Sequence, residues 1–301
     1  MDLSLYKAGA RPDSTEQHDA APDYESKYKA GVTRISSLYV NMASDLRQFS
    51  PRTRHDQGGA GTCVTNSGTR GLEIKRVMKF FAAAKARGLS DADALKEAFS
   101  NHVALSRAAL YYEARELMEP MEIDKDSGTR NSLAAAALST WGVPPEVPIV
   151  GRPASECWGY SDQLAYLCTP PSWMAMRSAA AHKINGWAKL KSTGSDLVED
   201  VIANLAVGNP VWWAKPVGAN YLQYKKGDVI RPVNGTVAGN HATLLVGWDP
   251  LKNGGVFWDE NSWANSWGDD GFAMVSPDVI EQEGFDLIVL EGGWETWLET
   301  V

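Results

Sequence analysis

Apolar residues along this chain fall into two textures. Between Cys63 and Lys85, Val64, Leu72, Val77, Phe80 and Phe81 recur at spacings that place them on one stripe of a helix, and no proline interrupts them. Further helices are predicted at 90–100 behind Ser90, at 104–118, at 129–141 ended by Gly142 and Pro144, and at 195–207 behind Ser195 or Asp196. After about residue 182 the runs become short and rich in β-branched or aromatic residues, at 184–190, 211–217, 242–248, 255–260, 272–275 and 285–290. Turns such as Asn253-Gly254-Gly255 and Gly268-Asp269-Asp270-Gly271 separate them. Helices first and strands afterwards predict an α+β chain of two lobes. The expected divisions are an extension over 1–40, a helical lobe over 41–150 and a β-rich lobe over 151–301. Residues 1–40 are polar, mixed in charge and without periodicity. They predict an extension that is flexible or laid along a surface, with regular structure beginning near Tyr39 to Phe49.

Composition narrows the function. Hydrophobic residues are 44% and charged residues 22% of the 301, enough for a sizeable core. Lys and Arg total 29 against 37 Asp and Glu, a net charge of −8 with no basic run, so nucleic acid is not an expected partner. The longest apolar runs, such as Ala242 to Trp248, fall far short of the ~18 residues a bilayer span needs. No membrane partner is expected. Met1 to Ala10 lacks a basic region followed by an apolar one, so no signal peptide is read, and the expected location is the cytoplasm or a non-classical export route. Cys157 and Cys168 can bridge only if their Cα atoms lie within about 7 Å, and reduced thiols are the other reading. Cysteines and histidines show no metal-ligand spacing, and Gly58 to Gly61 lacks the Lys-Ser/Thr of a phosphate loop. Neither a metal nor a cofactor is expected.

Cys63 is the most informative residue. At a helix N-terminus roughly half a positive charge favours thiolate over thiol, which predicts a lowered pKa. A thiolate nucleophile needs a proton donor for its leaving group, and histidine titrates in the right range. His241 directly precedes the apolar run Ala242 to Gly247, at the mouth of a buried strand. Downstream, Asn261-Ser262-Trp263 offers an amide that can orient an imidazole without adding charge, beside a tryptophan that can shield the bond. Composition alone favours reading the same stretch as buried tryptophan and turn residues.

The motifs resolve that choice. Asp56-Gln57-Gly58-Gly59-Ala60-Gly61-Thr62-Cys63 resembles the active-site loop of papain-like cysteine peptidases. Asn240-His241-Ala242 with Val246-Gly247-Trp248 resembles that family's histidine strand, and Asn261-Ser262-Trp263 with Ser266-Trp267-Gly268 resembles its asparagine motif. The likeness covers about residues 43–292 and is nearest to the bacterial and viral branch. It implies a helical lobe plus an antiparallel β-barrel-like lobe, with the active site in the cleft between them. It implies a thiol endopeptidase with Cys63 as nucleophile, His241 as general acid and base, Asn261 orienting it and Gln57 in the oxyanion hole. Gly128 and Ala242 then line substrate subsites, Trp263 and Trp267 support the histidine, and the substrate is a polypeptide. Two departures stand out: Val64 replaces the usual aromatic after the nucleophile, and Ala60 replaces a cysteine that is disulfide-bonded in secreted relatives. The 178-residue separation of Cys63 from His241 exceeds the roughly 130–150 of the papain signature, which places insertions near 85–102 and 150–181. A deamidase or transglutaminase-like enzyme, or a non-catalytic binding protein, are the alternatives on the same scaffold. The extension over 1–40 has two readings, an occluder of the cleft or a tail with no regulatory role.

Overall fold

The structure is a computed structural model that describes residues 7–23, 41–118 and 120–292. Its longest element is the helix Cys63–Ala86, which begins behind Thr62 without a side-chain cap. Its first four turns are buried on every side, so the predicted single stripe describes only part of it: Arg70, Glu73 and Arg76 are as deeply enclosed as Leu72 and Ile74. The enclosing partners are the helices Asp91–Ser100, Arg107–Glu116 and Asn131–Thr140 on one side and the sheet on the other. Ser90 and Ser106 cap two of those helices by accepting from Asp93 N and Ala109 N, which satisfies backbone donors at each start. The predicted helix at 195–207 begins earlier, at Gly194, and Ser195 and Asp196 lie inside its first turn.

One eight-stranded sheet joins β1 (Ser44–Asp45), β2 (Gly186–Lys189), β3 (Val211–Val217), β4 (Val229–Ile230), β5 (Gly239–Asp249), β6 (Val256–Glu260), β7 (Phe272–Val275) and β8 (Phe285–Glu291). The order is β2-β8-β3-β5-β6-β7-β4, with β1 added on β5. Every pairing is antiparallel except β4 with β7. The register of β3 on β5 sets Lys215 opposite His241 and Ala214 opposite Ala242. Six of these strands coincide with runs visible in the sequence. β1 and β4, two residues each, are too short to leave a pattern, as are the helices Leu164–Leu167 and Ala219–Leu222.

Gly68 and Gly71 set how closely the Cys63 helix approaches this sheet. A Cβ at Gly68 would lie 2.6 Å from the buried Trp212 ring, and one at Gly71 would lie 3.3 Å from Leu244. Gly68→Val is therefore expected to destabilise the fold by about 1–3 kcal/mol through overpacking, read as a lower urea midpoint with an unchanged slope.

Regular structure also begins earlier than Tyr39, which lies outside the described residues. Thr15–Ala20 forms a short helix held by a reciprocal capping box between Ser14 and Gln17. Residues 7–13 before it have no helix or strand of their own, yet they are tied along their length to both halves of the molecule.

Candidate active site

The loop 56–62 delivers Gln57 and Cys63 to one point. Gln57 N donates to Ser262 O at 2.9 Å, and its side-chain Oε1 accepts from Ser262 Oγ at 2.7 Å. Asp56 forms a bridge with Trp263, so the loop before the helix and the loop after β6 are sewn together. Tyr160, from the expected insertion at 150–181, donates to Gln57 O at 2.8 Å and lies 2.7 Å from Thr62 Oγ1.

His241 and Asn261 come together across the sheet. His241 Nε2 lies 2.7 Å from Asn261 Oδ1, which also accepts from Ser262 N at 2.8 Å. With that oxygen as acceptor, Nε2 carries the proton, and Nδ1 is left as the basic nitrogen. Nδ1 makes no hydrogen bond among the described residues. Trp263 packs on the ring at a centroid distance of 4.8 Å, Tyr221 meets it edge-on at 5.7 Å, and Trp267 stacks behind Tyr221 at 5.0 Å. Trp263, Tyr221 and Asn261 thus hold the ring while leaving Nδ1 open. Ala242, the next residue, turns its backbone amide toward the Cys63 sulfur.

Beneath the pair lies a buried cation that the sequence reading missed. Lys215 Nζ is 3.1 Å from Asp259 Oδ2, close enough for an ion pair, and also donates to the Thr243 hydroxyl. Trp213 Nε1 donates to the other Asp259 oxygen at 3.0 Å. A charged residue inside the apolar run Val211–Val217 was the available signal. The pair is enclosed because each charge compensates the other.

The cleft is occupied by the chain's own N-terminal segment. Gln57 Nε2 donates to the Lys7 carbonyl at 2.9 Å and to Ala60 O at 2.8 Å. Thr129 N donates to Gly9 O at 3.0 Å, and Arg11 N donates to Thr129 O at 2.9 Å, a parallel pairing. Ala10 N donates to Asn240 O at 3.1 Å on the opposite wall. Gly128 has φ +72°, and a Cβ there would lie 2.0 Å from Gly9 O, so this wall accepts a backbone at a distance only glycine allows. Lys7 Nζ reaches Asp126 at 2.9 Å, and Asp13 sits buried against Lys189 at 3.0 Å. Asp126 also accepts from Tyr111 and from Gly61 N.

This covering reverses the expected ionisation. Cys63 and His241 are fully buried. Burial pushes the Cys63 thiol up, and the amides of Ala242 and Gly9, with Lys215 nearby, only partly offset it. Burial, and then Lys215, lowers His241 to about 3, against the bond from Asn261. The lowered thiol expected from a helix N-terminus is therefore not found in the covered state. Desolvation outweighs the backbone amides and Lys215.

His55, held by burial and by Arg70 and Arg107 at about 4, is a second enclosed neutral ring. Below the ordinary histidine value of about 6.5 the unfolded chain takes up protons that these folded rings refuse. Stability is full above that value and falls as pH drops toward 4, with a slope of about 1.4 kcal/mol per unit from each ring. His55→Gln is expected to flatten the fall in urea midpoint between pH 7 and pH 4.5.

All three cysteines are free. Among the described residues no group of His, Cys, Asp and Glu could hold a metal ion, and no helix is long and apolar enough to cross a membrane.

The chain is similar in sequence and fold to known proteins. The sequence pattern of the papain family of cysteine proteases matches residues 158–286, a stretch that contains His241 and Asn261. Over that stretch the chain is similar to papain-like cysteine proteases. Cathepsin B-like protease 1 of Arabidopsis thaliana is 37% identical over 78 residues, covering 26% of this chain and 20% of that protein. The senescence-specific cysteine protease SAG39 of Oryza sativa subsp. indica is 31% identical over 106 residues, covering 33% of this chain and 31% of that protein. The matched stretches thus span a third or less of these relatives' length. Xylellain, a cysteine protease from Xylella fastidiosa, shares the papain-like fold with a TM-score of 0.72 at 22% identity, over 96% of this chain and 97% of that one. The proform of procathepsin B from Trypanosoma congolense superposes with a TM-score of 0.59 at 16% identity, over 96% and 87% of the two chains.

Proposed function

We propose that this papain-like chain is a cysteine endopeptidase that hydrolyses peptide bonds through Cys63, His241 and Asn261, with Gln57 in the oxyanion hole. The observation that carries the proposal is the Lys7 carbonyl on Gln57 Nε2, 2.9 Å away, at the mouth of the Cys63 helix. A peptide carbonyl thus meets the donor assigned to the oxyanion, beside the helix that begins with Cys63.

In the open cleft the Cys63 proton passes to His241 Nδ1, and the sulfur attacks the scissile carbonyl carbon. The carbonyl oxygen gains the charge and accepts from Gln57 Nε2 and the Cys63 N–H. Collapse of the adduct breaks the C–N bond, and the imidazolium returns its proton to the leaving amine. His241 then takes a proton from water as it attacks the thioester, and the acid product leaves with the thiol restored. Asn261 keeps Nε2 protonated throughout. Gly128 and Ala242 line the walls along which the substrate extends, and Trp263 and Trp267 keep water from the His241–Asn261 bond.

We also assign residues 7–13 as an intramolecular occluder. The proforms among the fold neighbours, including that of the ragweed pollen protease Amb a 11, support the assignment. Profiling the protein freed of this segment against a peptide library tests the activity. Cleavage within peptides, blocked by a thiol-directed epoxide, is expected. Release of ammonia from glutamine side chains without chain cleavage, or no turnover at all, overturns the reading.

A further inference from the structure

We propose that a second cavity, outside the cleft, binds a small phosphorylated molecule with an apolar body. The cavity holds about 760 Å³, within the range of small-molecule sites, and neither Cys63, His241, Asn261 nor Gln57 lines it. It lies between the loop 51–55, the outer face of the Cys63 helix at Arg70 and Glu73, and the helix Asp91–Ser100.

Its charges do not balance. Three of its arginines are buried and matched by carboxylates. Arg107 forks onto Glu146 at 2.8 Å through both Nε and Nη2, and Arg70 divides between Glu73 at 3.0 Å and Glu260 at 3.1 Å. Arg54 is 3.7 Å from Glu260 and 3.7 Å from the exposed Asp270. Arg52 and Lys96 line the same space, and their side chains make no hydrogen bond or ion pair among the described residues. The acids beside Lys96 are engaged elsewhere, Asp91 with Lys85, Glu97 with Arg87 and Asp93 with Ser90. Two cations therefore face the cavity unmatched, in a chain whose net charge is −8.

A third feature selects the acceptor. His102 Nε2 borders the cavity and makes no hydrogen bond among the described residues, and its neighbour there is Glu73 Oε2 at 3.7 Å, an ion-pair distance that Arg70 at 3.0 Å shares. A buried ring nitrogen that makes no close hydrogen bond is stabilised by a ligand atom that supplies one. A phosphoryl group supplies two charges for the two free cations and an oxygen for His102 Nε2–H. Leu95, Phe99 and Ala104 form an apolar wall, which suits a ring-sized body attached to that group.

Calorimetric titration of the full-length protein with phenyl phosphate, inorganic phosphate and phenol tests the site. Phenyl phosphate is expected to bind with a Kd of roughly 1 mM or tighter at low salt, inorganic phosphate more weakly and phenol undetectably. The double variant Arg52→Glu/Lys96→Glu changes two exposed side chains and is expected to keep the parent urea midpoint while weakening phenyl phosphate at least about tenfold. No binding of phenyl phosphate, or binding indifferent to the double variant, overturns the site. Inorganic phosphate binding as tightly as phenyl phosphate overturns the apolar subsite. The readout is binding, so its failure is separate from any failure of the peptidase assignment.

Discussion

Cys63→Ala and His241→Ala, made in the chain freed of residues 1–38, are each expected to lower kcat toward a peptide substrate by roughly 10⁴–10⁶. In the proposed mechanism Cys63 supplies the bond-forming atom and His241 both proton transfers, so neither has a substitute among its neighbours. Gln57→Ala removes one of the two proposed oxyanion donors and is expected to lower kcat by about 10²–10³. It also strands the Ser262 hydroxyl, now 2.7 Å from Gln57 Oε1, so a thermal melt must accompany the rate. Asn261→Ala is expected to keep measurable activity, because Asn261 orients a ring that Trp263 and Tyr221 also hold. The decisive comparison is between Asn261→Ala and Cys63→Ala. If both are equally inactive while folded, Asn261 does more than orient, and its role is misassigned.

The residues in that series were legible because they sit in motifs with a local signature: a glycine-rich loop before a helix, a histidine opening an apolar strand, and an asparagine among turn residues and tryptophans. The six longer strands were legible for a similar reason, since each is a run of β-branched or aromatic residues bounded by turns. What was not legible depends on contacts distant in sequence. Lys215 and Asp259 are 44 residues apart and become partners only through the register of β3, β5 and β6. The anchor at Asp126 gathers Lys7, Gly61 and Tyr111 from three separate elements. The ionisation of Cys63 was misread for the same reason. A helix N-terminus is visible in sequence, whereas the burial that outweighs it comes from residue 9 folding back onto residues 61 and 128.

That folding back has a testable consequence at one glycine. A Cβ at Gly9 would lie 2.0 Å from Gly61 O, so no side chain fits there while the segment stays seated. Gly9→Val keeps the chain at full length, leaves the Asp13–Lys189 anchor in place and is expected to lift residues 7–10 from the cleft. Removing residues 1–38 should have the same effect on Cys63 by a cruder route. In the parent chain the thiol is buried and its pKa raised, so thiolate is scarce at mildly acidic pH, and iodoacetamide labelling at pH 5–6 should favour the partly exposed Cys157 and Cys168. With the segment lifted, water reaches the cleft and the desolvation that held Cys63 and His241 neutral is relieved. The helix end then favours thiolate beside imidazolium, and Cys63 should become the first thiol labelled at the same pH. The kcat/KM toward a small fluorogenic peptide, at equal titrated active-site concentration, should rise by at least about tenfold in both forms, which corresponds to a segment that covers the site with roughly 1.4 kcal/mol or more. Unchanged labelling and unchanged kcat/KM in both Gly9→Val and the truncated chain would show that residues 7–13 do not gate the site, even though they lie in it.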